Sequence, residues 1–171
     1  MIVIVFGLPG SGKSYFASRL AKMINAGYVN SDRLRKEMFK NRTYSAQEKA
    51  AVYNAMLEKM KEALNQNRNM VLDATFHKSE TRRPFIQETE GKDGIFFIEV
   101  RADENITRER LKKSRPDSEA DFEVYKFIQQ HWEPLNKHHL LLLLESTDEN
   151  ISNMLQKAAE YLQWKDDKGT N

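Results

Sequence analysis

Ile2-Val3-Ile4-Val5-Phe6-Gly7-Leu8-Pro9-Gly10-Ser11-Gly12-Lys13-Ser14 is the stretch on which the fold turns. Its first half is an unbroken apolar, largely β-branched run that stops at a glycine, the pattern of a central strand buried on both faces. Its second half fits G-x-x-x-x-G-K-S/T, and the residues after Lys13 read as a helix to about Ile24. A glycine-rich turn between a strand and a helix lets successive backbone N–H groups converge on a phosphate at the positive end of the helix. In such a loop Lys13 reaches the β- and γ-phosphate oxygens and the Ser14 hydroxyl ligates magnesium. The expected nucleotide-binding set is therefore Gly7, Pro9, Gly10, Ser11, Gly12, Lys13, Ser14 and the following Tyr15, with ATP and Mg2+ as cofactors.

The rest of the chain supplies the architecture around this loop. Further strands are expected near Tyr28–Asn30 and over Met70–Ala74, Ile95–Val100 and His139–Leu144, with the Leu140–Leu144 run read as a buried strand. Helical stretches separate them, and strands alternating with helices give parallel pairing in an α/β fold. Two S/T-x-x-E patterns, from Ser45 to Glu48 and from Ser146 to Glu149, are read as capping boxes opening helices, the second running to about Trp164. In the first of these helices Ala51, Ala55, Met56, Met60, Ala63 and Leu64 form the expected buried stripe. Residues 1–164 are read as one domain and 165–171 as a polar tail.

Composition excludes several function classes. The chain of 171 residues carries 27 Lys plus Arg against 25 Asp plus Glu, a balance with no global field for nucleic acid or membrane. Cys is absent, so neither disulfides nor thiolate metal sites are available. The His residues lack the spacing of a zinc pair, and the only Asn-Lys, at Asn136-Lys137, has no guanine-reading Asp after it. No run approaches a membrane span, and a cytoplasmic location is the default expectation. No obligate protein partner is evident.

The acceptor side is read from position. Asp32 follows the second strand, at the carboxyl edge of the sheet where α/β folds place ligands, and suits either a general base or a helix N-cap. Arg35, three residues on, shares its helix face and is placed to hold an anionic acceptor group or to orient the carboxylate. Asp73 is followed by Ala74 rather than a second carboxylate, so no residue here obviously activates water, which favours a nucleophile brought by a substrate. Arg108, Arg110, Lys112, Lys113 and Arg115 crowd one segment, and Pro116-Asp117-Ser118 interrupts it before a helix from Phe122 to Trp132. That segment, about 108–121, is read as a basic helical lid whose arginines neutralise the transferring phosphoryl group. Arg82 and Arg83 are candidates for an anionic acceptor, although Pro84 beside them equally marks a helix start. His77 is expected to face solvent, and Phe122, Phe127 and Trp132 are expected to pack.

Gly7–Ser14, Ser31-Asp32-Arg33-Leu34-Arg35, Val71-Leu72-Asp73-Ala74-Thr75-Phe76 and the basic segment to Arg115 together resemble the AAA-domain type of P-loop kinases, relatives of polynucleotide 5′-hydroxyl kinases and the zeta-toxin group. The resemblance implies a three-layer α/β/α P-loop fold with a five-stranded parallel sheet of order 2-3-1-4-5. It assigns Asp32 as general base, Arg35 as its partner at the acceptor, Asp73 to the acceptor or the magnesium shell through water, and Arg110 or Arg115 to the lid. The implied activity is transfer of the ATP γ-phosphate to a hydroxyl, with a polynucleotide 5′ end as first expectation. A small metabolite, nucleotide sugar or antibiotic is the alternative, and an ATP-dependent switch without a discrete acceptor is a second class.

Overall fold

The computed structural model describes residues 1–90, 94–113, 118–136, 139 and 141–166. In chain order these form β1 (Ile2–Phe6), α1 (Lys13–Met23), β2 (Gly27–Asn30), α2 (Ser31–Met38), α3 (Ala46–Asn65), β3 (Met70–Ala74), α4 (Ser79–Thr89), β4 (Ile95–Arg101), α5 (Glu104–Lys112), α6 (Phe122–Gln130), β5 (Leu141–Glu145) and α7 (Ile151–Asp166). The five strands make one all-parallel sheet of order β2-β3-β1-β4-β5.

Alternation along β1 divides the core. Ile2, Ile4 and Phe6 face a cluster with Leu34, Val52, Met56, Met60 and Phe85 from α2, α3 and α4. Val3 and Val5 face Phe16, Leu20, Met154, Ala158 and Leu162 from α1 and α7 on the other side. With helices on both faces, β1 and β3 are buried throughout, as strands in a covered parallel sheet must be. In register, Val5 pairs with Asp73 and Asn30 with Asp73, so the carboxyl ends of β1, β2 and β3 deliver the P-loop, Asn30 and Asp73 to one edge.

Several local expectations are corrected. β5 is an edge strand in which only Leu144 is buried and Leu143 is 49% exposed, because no strand among the described residues pairs beyond it. It begins at Leu141 rather than His139. Ser146 does not open α7; that helix begins five residues later behind Asn150, whose amide accepts from Thr147 N and donates to Glu145 O. Ser45 does cap α3, but the Glu48 carboxylate passes it to take the N–H groups of Thr43 and Tyr44. Ala51, Ala55 and Leu64 are only partly buried, and Val52 joins Met56, Met60 and Ala63 in the stripe. Pro84 lies inside α4, not at its start, and the carbonyl of Glu80 that it leaves without a donor sits on an exposed residue.

Candidate active site

The P-loop is held by close approach and by left-handed backbone. A Cβ at Gly7 would stand 2.2 Å from Val100 O, so only glycine lets β1 pass beside β4 there. Gly12, at φ 88°, takes a conformation that costs an L-residue about 1–2 kcal/mol. A Cβ on it would lie 2.7 Å from Ser146 Oγ and 3.2 Å from an Arg110 nitrogen. α1 starts at Lys13 with no side-chain cap and no acidic residue in its first turn. Phe16 N donates to Gly12 O, so the N–H groups before it belong to the turn that a helix leaves for an external acceptor. Tyr15 is 56% exposed with the Arg19 guanidinium 3.4 Å above its ring, and what it offers an anion is its backbone N–H. Lys13 Nζ reaches back to Leu8 O at 3.4 Å.

Behind the loop runs a buried polar chain. Asn30 caps α2 by accepting from Arg33 N at 2.9 Å, while its Nδ2 donates to Asp73 Oδ2 at 2.6 Å and to Ser14 Oγ at 3.3 Å. Tyr28 also donates to Asp73 Oδ2, at 2.7 Å; burial and the adjacent Asp73 raise the Tyr28 pKa, so it stays a donor. Asp73 is fully buried, and its Oδ1 has no hydrogen-bond partner among the described residues. A hydroxyl and an orphaned carboxylate oxygen joined through one amide suit a magnesium ion, which keeps several waters and takes one or two protein oxygens beside substrate phosphates. Neither Asn30 nor Tyr28 was anticipated; Asn before the Ser-Asp pair was the available signal.

Asp32 lies in the first turn of α2, and Asn30 rather than Asp32 is its N-cap. Burial raises the Asp32 pKa, opposed by Lys13 and Arg35, reinforced by Asp73, and lowered by a hydrogen bond with Ser118. Arg35 Nη1 meets Asp32 Oδ1 at 3.3 Å, and Arg35 Nε lies 3.0 Å from Glu48 Oε1, close enough for an ion pair but misaligned for a hydrogen bond. Burial acts to raise the Glu48 pKa, but hydrogen bonds from Thr43 and Tyr44 and the charge of Arg35 prevail and lower it. The 39–45 loop then meets the far end of the basic segment: Glu119 takes Arg42 Nη2 at 2.6 Å and the Tyr44 hydroxyl at 2.5 Å. This clasp adjoins Ser118, which hydrogen-bonds Asp32.

The remaining expected residues fall in different places. Arg110 stands at the opposite flank of the P-loop, giving Nη1 to Ser146 Oγ at 3.2 Å and to Gly10 O at 3.4 Å, and pairing with Asp148 at 2.9 Å. Arg115 lies outside the described residues. Arg82, expected at an acceptor, is 2% exposed, and its guanidinium is donated to the carbonyls of Phe76 (2.6 Å), Glu133 (2.8 Å) and Pro134 (3.1 Å). It clamps the segment after β3 to the segment after α6. His77 is buried rather than solvent-facing, and burial, with Lys49 and Lys78 nearby, lowers its pKa to about 4. Trp132 stacks on Phe6 at 5.9 Å and walls a cavity of about 300 Å³ with Leu8, Ser11, Glu99 and Gln129. Phe122 packs beneath Arg108, whose guanidinium is 3.9 Å from its ring, whereas Phe127 is 59% exposed.

Among the described residues no helix is long and apolar enough to cross a membrane. A shikimate kinase from Corynebacterium efficiens is 28% identical over 139 residues, covering 78% of this chain and 80% of that protein. An unliganded sugar kinase from Janibacter sp. has the same fold, with a TM-score of 0.74 at 15% identity over 95% of this chain and 94% of the other. A gluconokinase from Sinorhizobium meliloti aligns with a TM-score of 0.68 at 16% identity, over 95% of each chain. Residues 2–135 match the AAA domain family. With that match over most of its length, and with its P-loop at the edge of a parallel sheet of order 2-3-1-4-5, the chain belongs to the AAA domain family and is a P-loop phosphotransferase.

Proposed function

We propose that the protein is an ATP-dependent kinase whose acceptor is a hydroxyl on a small metabolite. The observation that carries this reading is the setting of Asp32: a half-buried carboxylate within electrostatic reach of Lys13, partnered by Arg35 and roofed by Ser118. A general base must sit where the acceptor proton will be and have a pKa moved toward the working pH. The P-loop and α1 N-terminus hold the phosphates. Lys13 neutralises the transferring group, and Arg110 stands at the nucleotide flank of the loop. Ser14 and, through water, Asp73 would hold magnesium, which when bound would offset the charge that builds up on the phosphates. As the acceptor oxygen bonds to the γ-phosphorus, its proton passes to Asp32, the bond to the bridging oxygen breaks, and ADP departs. Most of the rate enhancement is positioning and electrostatics.

Two observations favour a small acceptor over a polynucleotide 5′ end. The Arg42–Glu119–Tyr44 clasp fastens the 39–45 loop to the residue next to Ser118, which hydrogen-bonds Asp32, and a segment tied down beside the base suits an enclosed molecule better than a polymer. The similarity to a shikimate kinase and the fold shared with sugar and gluconate kinases point the same way. The test is transfer of labelled γ-phosphate from ATP–Mg2+ to sugars, sugar acids, cyclitols, nucleosides and 5′-hydroxyl oligonucleotides. Label on a small molecule supports the proposal; label on oligonucleotide ends alone, or ATP binding with no transfer to any of them, refutes it.

A further inference from the structure

A second cavity, of about 350 Å³, opens between α3 and α4, lined by Lys49, Tyr53, Asn54, Lys78, Glu80 and Thr81 among others. Lys49 lies in the first turn of α3 and Lys78 is the N-cap residue of α4. Both helices begin near the carboxyl edge of the sheet, the edge that carries Asp32 and Asp73. We propose that this cleft seats an anionic group of the acceptor, a carboxylate or a phosphate, with Lys49 and Lys78 as its counter-charges. The proposal rests on the kinase reading above and narrows its substrate class to small hydroxylated acids.

The cleft's charged lining is two ammonium groups and one carboxylate, Glu80, a net excess of positive charge. Lys49 is half-buried and has no ion pair among the described residues. Burial, then Lys78 and Arg35, lower its pKa, with Glu80 opposing. Lys78 meets Glu80 at 3.6 Å, a loose pair between exposed side chains that a ligand can displace at little cost. His77, close to both lysines, is held neutral and adds no charge of either sign at physiological pH. The carboxylate of Glu133 accepts from Ser79 N at 2.7 Å and lies within electrostatic reach of Lys78, whose charge it offsets in part. Arg35, the residue expected to grip an anionic acceptor, is already shared between Asp32 and Glu48.

Tyr53 relates the cleft to the base. The Tyr53 hydroxyl accepts from Phe76 N at 3.2 Å and lies within electrostatic reach of Asp32, Arg35 and Asp73, while its ring lines the cleft. Asp32 itself does not line the cleft, so an acceptor anchored at the lysines must be long enough to reach past Tyr53 to the Asp32 carboxylate. Asn54 and Thr81 supply neutral hydrogen-bonding groups for hydroxyls along the way.

The test compares matched acceptors, aldonic acids and sugar phosphates against the corresponding neutral polyols, in the wild type and in Lys49→Gln/Lys78→Gln. The wild type should prefer acids, and the ratio of kcat/KM for acid over polyol should fall about 100-fold in the double variant, roughly tenfold for each ammonium group removed. Whichever acid class shows the loss identifies the group. In a second arm the chain is first saturated with a non-hydrolysable ATP analogue and Mg2+, so that the P-loop cannot report the anion. Added acid should then raise Tm in the wild type but not in the double variant. Acid protection without phosphate transfer would leave the cleft assignment standing and sink the kinase reading. Transfer with no preference for acids, or a preference unchanged in the double variant, would keep the kinase and overturn the cleft.

Discussion

Replacing Arg82 by Met separates a structural clamp from a substrate contact. The side chain is 2% exposed and its guanidinium serves three carbonyls, those of Phe76, Glu133 and Pro134, at 2.6 to 3.1 Å. Met fills much of the volume but donates nothing. Each buried acceptor left without a donor costs about 1–3 kcal/mol, and the relief of no longer burying a guanidinium offsets part of the sum. A net loss of about 3 kcal/mol is expected. For a chain of this size that corresponds to a fall in Tm of roughly 6–12 °C, at about 2–4 °C per kcal/mol. Chemical unfolding in urea, monitored by tryptophan fluorescence and far-ultraviolet circular dichroism, reads the energy directly. ATP affinity should hold, because Arg82 touches no P-loop residue. Arg82→Lys should fall between, since one ammonium cannot reach all three carbonyls in the same geometry. A stability loss under about 1 kcal/mol, coupled to a large rise in acceptor KM, would refute the clamp and restore Arg82 to the substrate.

The site itself yields three further expected outcomes. Asp32→Asn should raise Tm at neutral pH while lowering kcat by about 10²–10⁴-fold. The sign comes from the raised folded pKa of Asp32: between the unfolded and folded values the native state holds more protons, so stability falls as pH rises through that window. The Tm advantage of the variant should therefore be full above the folded pKa and vanish below the unfolded value, near 3.8, as a pH series of melting curves would show. Gly12→Ala should weaken ATP binding, measured by calorimetry, because it combines a left-handed φ with a 2.7 Å approach to Ser146 Oγ; Ser146→Ala in the same chain should recover the steric part only. Glu119→Ala should raise acceptor KM and the rate of ATP hydrolysis to water, read by phosphate release with and without acceptor, since it opens the clasp.

The parts of the fold legible in the sequence are those written in consecutive residues. β1 and its loop announce themselves by an apolar run ending in glycines, and β3 by Met70–Ala74 between polar stretches; both fall where expected. Asp32, Arg35, Asp73, Lys13 and Ser14 are brought to one edge of the sheet because parallel register aligns the carboxyl ends of β1, β2 and β3. Features set by distant partners could not be read. Arg82 resembled any arginine beside a helix until the carbonyls of 133 and 134 closed on it. Ser146 carried a capping pattern but was drawn to Arg110 and the P-loop. His77 gave no sign of burial, and β5 looked like a core strand because five leucines say nothing about whether another strand lies beyond. Asn30 holds the site together through Ser14, Asp73 and the cap of α2 at once, a role visible only when three elements meet.

The central claim, that Asp32 takes the proton of a small acceptor during transfer from ATP, is tested most directly by single-turnover transfer of labelled γ-phosphate in the wild type and in Asp32→Asn, with ATP affinity measured on the same samples. Labelled small-molecule product is expected in the wild type, with a rate lower by about 10²–10⁴-fold in the variant and nearly equal ATP affinity in the two. Equal transfer rates at equal ATP affinity would contradict the claim.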